Sequence, residues 1–303
     1  MKESMYRYMN VGLIQFMAYP DAVRDESALI DSVRKIALDP FFNVIELTSV
    51  PSQKTRLTIR QMLETAHMSA VFGAQPMLLS SGLNINDLDE DKRKQAVALL
   101  QSGIDEAIEL GASSFAFLSG RYQPETIEAS LDALVRSTQT LCDYAAARGG
   151  IRVALEVFDH TIDKKSLIGP AALARRYAEQ VMRPRDEFGL IVDLSHLPLL
   201  GETPEQAIVP IAEYLVHAHI GNCVIKNPDL PGYGDLHPRF GFPDSENDVE
   251  ELMEYLRILK KIGYLSAKRS PTVSFEVKPF DGEDPDLVVA NAKRVLQKAW
   301  ARL

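Results

Sequence analysis

The sequence has few cysteines, and its charge is predominantly negative. Only Cys142 and Cys223 occur in 303 residues, and neither lies in a CxxC or CxxH spacing. We therefore expect reduced thiols rather than a disulfide framework or a structural zinc site. Acidic residues outnumber basic ones by 42 to 33, which gives a net charge of -9. This charge disfavours a nucleic-acid partner, because binding to phosphates relies on Lys and Arg. A small-molecule partner is the better expectation.

Long apolar runs and glycine-rich phosphate loops are also missing. No stretch approaches the ~20 apolar residues of a transmembrane helix. The opening segment, MKESMYRYMN, lacks the apolar core of a secretory signal. We therefore expect a cytoplasmic protein without a membrane partner. No GxGxxG or GxxxxGK[ST] motif follows an early predicted strand, which argues against a dinucleotide-binding or P-loop fold.

Short β-branched segments alternate with longer segments of helical periodicity along the whole chain. Apolar residues make up 46% and charged residues 25%, a mixture that is typical of a globular protein with a large core. The alternation predicts parallel strands joined by crossover helices. Eight strands are predicted, at residues 12–16, 43–47, 76–80, 114–118, 151–158, 189–194, 214–220 and 272–277.

Eight such units without a linker predict an α/β fold of the (β/α)8 TIM-barrel class, with residues 1–303 as a single domain. An open doubly wound sheet is the structural alternative. Several helices carry clear end signals, such as the capping box Thr203-Pro204-Glu205-Gln206 and the stop at Gly263. The longest connection, residues 221–246, is rich in Pro, Gly and Asp. We expect this loop to cover the mouth of the barrel, because long loops in compact domains are usually functional.

Ionisable side chains occur near the ends of four consecutive predicted strands. Sites of (β/α)8 barrels form at the C-terminal ends of the strands, so these residues carry most of the functional information. One such side chain alone is more often structural than functional, but four on successive strands favour a shared role. The side chains are Glu156 on strand five, Asp193 and His196 on strand six, His217 and His219 on strand seven, and Glu276 on strand eight.

Three buried carboxylates close together would have to take up protons unless a cation compensated their charge. We therefore expect one divalent metal ion, held by Glu156, Asp193, His219 and Glu276. This oxygen-rich set favours Mn2+, Mg2+ or Co2+ and is compatible with Zn2+. His217 points to the same face as His219, one pleat deeper. It is interpreted either as a residue behind the ligands or as part of the core.

These motifs resemble the sugar isomerase and epimerase superfamily with the xylose-isomerase-like barrel, particularly its ketose 3-epimerase and inosose-dehydratase branches. The resemblance implies that the four residues hold a metal ion, that Glu156 and Glu276 exchange protons with the substrate, and that His196 contacts the substrate. It also implies a sugar or polyol substrate and allows a homo-oligomer. The motifs that carry the resemblance are Ala154-Leu155-Glu156-Val157, Asp193-Leu194-Ser195-His196, His217-Ala218-His219-Ile220-Gly221 and Phe275-Glu276-Val277-Lys278-Pro279.

The chain departs from this family at one position. The epimerases usually carry an arginine six residues after the metal-binding histidine, where this chain has Ile225. His237 and Arg239 in the long loop are candidates to replace that contact with the substrate. Arg239 and Lys278 also suit an acidic or phosphorylated substrate. The Asp235-x-His237 spacing fits either a second metal ion or a loop that is held by local hydrogen bonds.

The leading prediction is a metal-dependent sugar isomerase or epimerase that removes a proton beside a carbonyl and passes through an enediolate. The nearest alternative is an inosose-type dehydratase, a lyase that uses the same ion and base to eliminate water. A metal-bearing barrel that binds a ligand without turnover is a third class. Apurinic endonucleases share the barrel, but the net charge of -9 argues against DNA binding.

Overall fold

The protein is described by a computed structural model that covers residues 3–182, 187–280 and 282–303. Eight parallel strands form a closed barrel in sequence order, and the first strand pairs with the eighth. This confirms the predicted (β/α)8 fold and rules out the open sheet. The strands are β1 (Asn10–Ile14), β2 (Val44–Leu47), β3 (Ser69–Gly73), β4 (Ala112–Leu118), β5 (Arg152–Val157), β6 (Phe188–Asp193), β7 (Leu215–Gly221) and β8 (Thr272–Glu276).

One predicted strand is wrong. Residues 76–80 lie in a helix, and the third strand is Ser69–Gly73. The preceding helix ends at Ala66, and His67 adopts the left-handed conformation that turns the chain directly into this strand. Pro76 lies in the first helical turn, where a missing N–H costs nothing. A short apolar run does not by itself distinguish a strand from a buried helix. The other seven predicted strands differ from the observed ones by two residues or fewer at either end.

Helices surround the strands and cover both the outer wall and part of the mouth. The helices Glu90–Leu110, Val249–Lys261 and Pro285–Arg302, for example, have the apolar face that a barrel wall requires. The 3-10 turns are Met5–Arg7, Pro20–Arg24, Pro124–Thr126 and Val209–Ile211. The α-helices of the described residues are α1 (Gln15–Ala18), α2 (Glu26–Leu38), α3 (Gln53–Ala66), α4 (Gln75–Ser81), α5 (Glu90–Leu110), α6 (Ile127–Ala147), α7 (Ala171–Met182), α8 (His196–Leu200), α9 (Pro204–Ile208), α10 (Val249–Lys261) and α11 (Pro285–Arg302).

The middle of the barrel is filled by small and branched apolar side chains. Ala116, Ala154 and Ile191 form a buried cluster, and Val216 packs against it. This plug lies directly below the ionisable layer, because Glu156 and Asp193 follow Ala154 and Ile191 by two residues on the same strands. The plug therefore supports the polar side chains from beneath and keeps them at the mouth.

The connection between β7 and α10 folds over the mouth, as the sequence predicts. Asp235 and His237 of this loop are buried, with 3% and 2% of their surfaces exposed. The Lys278 N–H donates to the His237 carbonyl oxygen at 2.7 Å, which ties the loop to the end of β8. None of the helices in the described ranges combines the length and apolar character that crossing a membrane requires.

Candidate metal centre and active site

Four consecutive strands bring the predicted metal ligands together. Glu156, Asp193, His219 and Glu276 end β5, β6, β7 and β8 or lie near those ends. Each offers one ligand atom, and these atoms lie within 4.8 Å of one another. All four side chains are buried, with between 0% and 9% of their residue surface exposed. The parallel register of the barrel produces this arrangement, because it places the C-terminal strand ends around one opening.

His219 lies at the centre of this group. Its Nδ1 is 3.0 Å from Glu156 Oε1 and 3.2 Å from Glu276 Oε2. Its Nε2 faces the opposite side, 3.2 Å from Glu46 Oε1. Burial alone would lower the pKa of His219, but the carboxylates of Glu46 and Glu156 raise this pKa well above its usual value. A histidine must be neutral to bind a metal, so a proton and a metal ion compete for this ring.

The donor set fits a divalent ion. The Ser195 N–H donates to Asp193 Oδ1 at 2.7 Å, whereas Asp193 Oδ2 is buried without a hydrogen-bond partner. Glu276 Oε2 likewise has no hydrogen bond among the described residues, and its near neighbour is His219 Nδ1 at 3.2 Å. Burial raises the pKa of Asp193, as expected for a carboxylate that lacks a compensating charge. Three carboxylates and one imidazole therefore converge on one point, and among the described residues two of their carboxylate oxygens, Asp193 Oδ2 and Glu276 Oε2, have no hydrogen bond, which a divalent cation would compensate.

Glu46 belongs to the same cluster and was missed in the sequence prediction. It lies one residue before the end of β2, on the opposite side of the barrel, and is 2% exposed. Its Oε1 lies 2.9 Å from His217 Nε2 and 3.2 Å from His219 Nε2. Burial opposes its ionisation, but both histidines hold the pKa of Glu46 well below its usual value. The signal was present in the sequence as an acidic residue in the apolar strand Val44-Ile45-Glu46-Leu47.

The long loop brings a second acid and histidine against the strand ends. Asp235 Oδ1 lies 3.0 Å from His196 Nε2 and 2.9 Å from His237 Nε2. His237 Nε2 is also 3.3 Å from Glu276 Oε1, so the loop reaches the predicted catalytic residues. Asp193, His196 and His237 form a further group with ligand atoms within 4.8 Å. The geometry is thus compatible with both interpretations of the Asp235-x-His237 spacing. These residues either bind a second ion or hold the loop through local contacts.

The charges in this loop region compensate one another. Burial would lower the pKa of His196, but Asp235 raises it to about 10. Burial would also lower the pKa of His237, but Glu276 and Asp235 raise it to about 9. Lys164 adds a third cation, with its Nζ 3.0 Å from Asp235 Oδ2. Asp235 is therefore an anion held between three basic side chains. Burial would raise its pKa, but His196 and His237 hold this pKa well below the usual value.

A cavity of about 130 Å³ opens onto the cluster. Its polar lining includes Gln75, whose Nε2 donates to Glu156 Oε2 at 2.6 Å. This bond holds one oxygen of Glu156 and leaves the other facing His219. The remaining polar lining residues are Glu46, Glu156, Lys164, His219, Asp235, His237 and Glu276, and the apolar lining residues are Ile14, Phe16, Met17, Pro76, Leu79 and Phe158.

Of the four predicted substrate contacts, His237 lines this cavity, whereas His196, Arg239 and Lys278 do not. Arg239 Nε pairs with Glu283 Oε1 at 2.7 Å, and Arg239 Nη1 donates to the Gly241 carbonyl oxygen at 3.0 Å. The ammonium group of Lys278 lies 5.8 Å from the centre of the Phe280 ring. Neither residue lines the cavity. The structure brings His196 and His237 to the metal-binding group but does not bring Arg239 or Lys278 there.

Comparison with known families and structures agrees with this architecture. The family described as a xylose isomerase-like TIM barrel matches residues 41–299 of the chain. A sequence comparison with curated proteins finds no match. Many solved structures share the fold.

Three of these structures illustrate the range of related barrels. A D-psicose 3-epimerase with D-tagatose from Clostridium cellulolyticum H10 has a TM-score of 0.68 and 18% identity, over 97% of this chain and 99% of the other. A 3-keto-D-glucoside 4-epimerase from E. coli has a TM-score of 0.67 and 18% identity, over 97% and 99%. An AP endonuclease of family 2 from Brucella melitensis has a TM-score of 0.65 and 16% identity, over 94% and 98%. At these identities the likeness shows a shared fold.

Proposed function

We propose that this chain, which belongs to the xylose isomerase-like TIM-barrel family, is a metal-dependent isomerase or epimerase of a sugar or related polyol. The observation that carries the proposal is the placement of Glu156 and Glu276. These two buried carboxylates end different strands, flank His219 Nδ1 at 3.0 and 3.2 Å, and line the same cavity. The sugar epimerases among the structures that share this fold support the choice of reaction.

The two glutamates suit proton transfer at a carbon beside a carbonyl. One carboxylate takes the proton from that carbon, and the electron pair moves onto the carbonyl oxygen to give an enediolate. The other carboxylate, as its acid, returns a proton to the opposite face of the carbon. The two carboxylates come from different strands, β5 and β8, and approach the same nitrogen of His219, Nδ1, at 3.0 and 3.2 Å. The Gln75 amide fixes the orientation of Glu156 for this role.

Glu156, Asp193, His219 and Glu276 would hold the ion, because their ligand atoms converge and two of the carboxylate oxygens lack partners. A bound divalent cation supplies positive charge that stabilises the negative charge developing on the oxygens of the substrate. The chemistry of the donors favours Mn2+, Mg2+ or Co2+. His237 lines the cavity beside this group and would hydrogen-bond to a hydroxyl group of the substrate. His196 is buried behind it, with its ring nitrogens engaged by the Val157 carbonyl oxygen and by Asp235.

The charges at the cavity favour an uncharged sugar over a sugar phosphate. Among the described residues that line the cavity, Lys164 is the one lysine, and there is no arginine. The ammonium group of Lys164 is already paired with Asp163 and Asp235. Arg239, which the sequence suggested for a phosphate, is paired with Glu283 outside the cavity. A phosphate would therefore meet four carboxylates, while the cationic Lys164 and His237 are both already paired with Asp235, which is unfavourable for an anion.

The test is an assay of the protein loaded with Mn2+ or Mg2+ against ketoses, aldoses and inososes in D2O, followed by NMR. Deuterium at the carbon beside the carbonyl of a substrate, together with a new epimer or isomer, is the expected result. Glu276→Gln should abolish the exchange. Glu283→Gln is the matched control, because this glutamate pairs with Arg239 away from the cavity, and it should keep the wild-type rate.

Two outcomes of this assay would contradict the proposal. Equal exchange by wild-type protein and Glu276→Gln would remove the glutamate pair from the reaction. A metal-loaded protein that exchanges no substrate across the panel would instead favour a barrel that binds a ligand without turnover. Nicking of abasic DNA by the same preparation would point to an endonuclease, despite the net charge of -9.

A dehydratase is the second candidate, and His237 is the observation that favours it. Elimination of water needs an acid to protonate the leaving hydroxyl group as well as a base to remove the proton. His237 lines the cavity, and its Nε2 lies 3.3 Å from Glu276 Oε1. Its raised pKa of about 9 keeps the imidazole cationic at neutral pH. In the same assay, loss of a substrate hydroxyl group would identify this reaction.

A further inference from the structure

The two ring nitrogens of His219 face different carboxylates. Nδ1 points toward Glu156 and Glu276, whereas Nε2 lies 3.2 Å from Glu46 Oε1 and 3.3 Å from Glu46 Oε2. A neutral imidazole has one N–H donor and one nitrogen with a free lone pair. Only one nitrogen of His219 can therefore bind a metal ion while the other donates a hydrogen bond.

The surroundings decide which nitrogen takes which role. On the Nδ1 side, Glu156, Asp193 and Glu276 contribute three carboxylates to the four-residue group. On the Nε2 side, the nearby carboxylate is Glu46. A divalent ion is held better by three carboxylates than by one, so the lone pair belongs on Nδ1 and the proton on Nε2. Glu46 is then the acceptor of the Nε2 proton.

His217 holds Glu46 in position for this role. Its Nε2 lies 2.9 Å from Glu46 Oε1 and 3.3 Å from the Ser274 hydroxyl oxygen. Glu46 is therefore bounded by two imidazole rings whose centres are 4.9 Å apart. An anion that is 2% exposed and contacted from two sides has little freedom to move.

We propose that Glu46 is a positioning residue: it accepts the Nε2 proton of His219 and so holds this ring with Nδ1 directed at the metal site, while His217 anchors Glu46. The inference rests on the metal site of the proposed function. Carboxylates behind metal-binding histidines act in this way in general, because they fix the tautomer and the orientation of the ring. Glu46 does not touch the ion or the substrate in this role.

A metal ion between Glu46, His217 and His219 is the competing arrangement, since these three residues also have ligand atoms within 4.8 Å. It would require the lone pair of His219 on Nε2 and a proton on Nδ1, facing the other carboxylates. The two arrangements therefore predict opposite tautomers of His219. They also differ in whether Glu46 is a direct ligand.

The first experiment measures Mn2+ affinity by EPR titration of the wild-type protein, Glu46→Gln and the control Glu106→Gln. Glu106 accepts hydrogen bonds from Ser49 and from the Val50 N–H outside the cluster. Glutamine preserves the size of residue 46, but its amide can donate to Nε2 and favour the wrong tautomer. We expect Glu46→Gln to weaken Mn2+ binding by about 10- to 100-fold and Glu106→Gln to leave it unchanged. Circular dichroism checks that each variant is folded.

The second experiment needs no variant. Long-range 1H–15N NMR of the Zn2+-loaded wild-type protein reports which nitrogen of each histidine carries a proton. The expected pattern for His219 is a protonated Nε2 and a metal-bound Nδ1. The opposite pattern, or a Mn2+ affinity of Glu46→Gln equal to that of the wild-type protein, would overturn the inference alone. Failure of the wild-type protein to bind Mn2+ would overturn the proposed function and the inference together.

Discussion

The two sides of the cavity differ in chemistry although both belong to one barrel. Strands β5 to β8 contribute the ionisable residues, and the first three β/α units contribute mainly apolar ones, including Phe16 and Met17 on α1 and Leu79 on α4. The ionisable side resembles a reaction centre, because its charges converge on one point. The apolar side has no proton to transfer and instead limits the shape of a bound molecule. Changes on the first side should therefore affect kcat, and changes on the second should affect KM.

Glu46 is the exception that connects the two sides. It comes from β2, in the apolar half, yet its carboxylate reaches the back of His219. The apolar half of the barrel thus contributes indirectly to the metal site. The following predictions test the division between the two sides, beginning with the largest expected effect.

Loss of either carboxylate on the ionisable side should have the largest effect. Glu156→Gln and Glu276→Gln each remove a proposed proton-transfer group that is also a proposed metal ligand, so kcat should fall by about 100- to 10,000-fold. The measurement is the initial rate with the best substrate from the panel, at saturating Mn2+. Rates close to that of the wild-type protein in both variants would assign the chemistry to other residues.

Removal of divalent metal should destabilise the protein through the ionisable side of the cavity. Three buried carboxylates then repel one another without a compensating cation. A ligand at 100 times its Kd stabilises the folded state by about 2.7 kcal/mol, so chelation should lower Tm by several degrees in a calorimetric scan. The variant Asp193→Asn lacks one ligand and should show a smaller metal-dependent shift. An equal shift in that variant would place the stabilising ion elsewhere.

A change where the loop leaves β7 should have an intermediate effect. A Cβ added at Gly221 would lie 2.7 Å from the Glu276 carbonyl oxygen and 3.0 Å from His237 Nδ1. Gly221→Ala should therefore displace His237 and the end of β8, with a cost of about 1–3 kcal/mol for overpacking. Urea unfolding measures this cost, and metal titration measures the effect on the site. Unchanged values for both would show that the loop adjusts without strain.

Substitution on the apolar side should have the smallest effect, and that effect should be on KM. Leu79 lines the cavity and is 50% exposed, so Leu79→Ser should fold normally. We expect KM to rise a few-fold while kcat stays nearly constant, because a partly exposed leucine contributes roughly 1 kcal/mol of apolar contact. Leu38→Ser is the control, since Leu38 is 72% exposed and does not line this cavity. A fall in kcat for Leu79→Ser would contradict the proposed difference between the ionisable and apolar sides of the cavity.

Most of the barrel was predictable because each unit has its own local signal. Asp193 illustrates this, because it follows the unbroken apolar run Phe188–Val192, which is typical of a buried parallel strand. The third strand was misplaced because residues 76–80 also form a short apolar run, although they lie in the helix Gln75–Ser81. Local periodicity does not separate these two cases, and the left-handed turn at His67 is visible only in the structure.

The sequence by itself determined the (β/α)8 fold and the group of ionisable residues on the last four strands, because strand periodicity and buried charges are local properties. Only the tertiary structure decided that Glu46 lies behind His219, that Asp235 and His237 fold onto the strand ends, and that Arg239 pairs with Glu283 instead of lining the cavity. These contacts join residues that are far apart in the chain. Barrel closure and loop packing set their distances, and no local pattern encodes them.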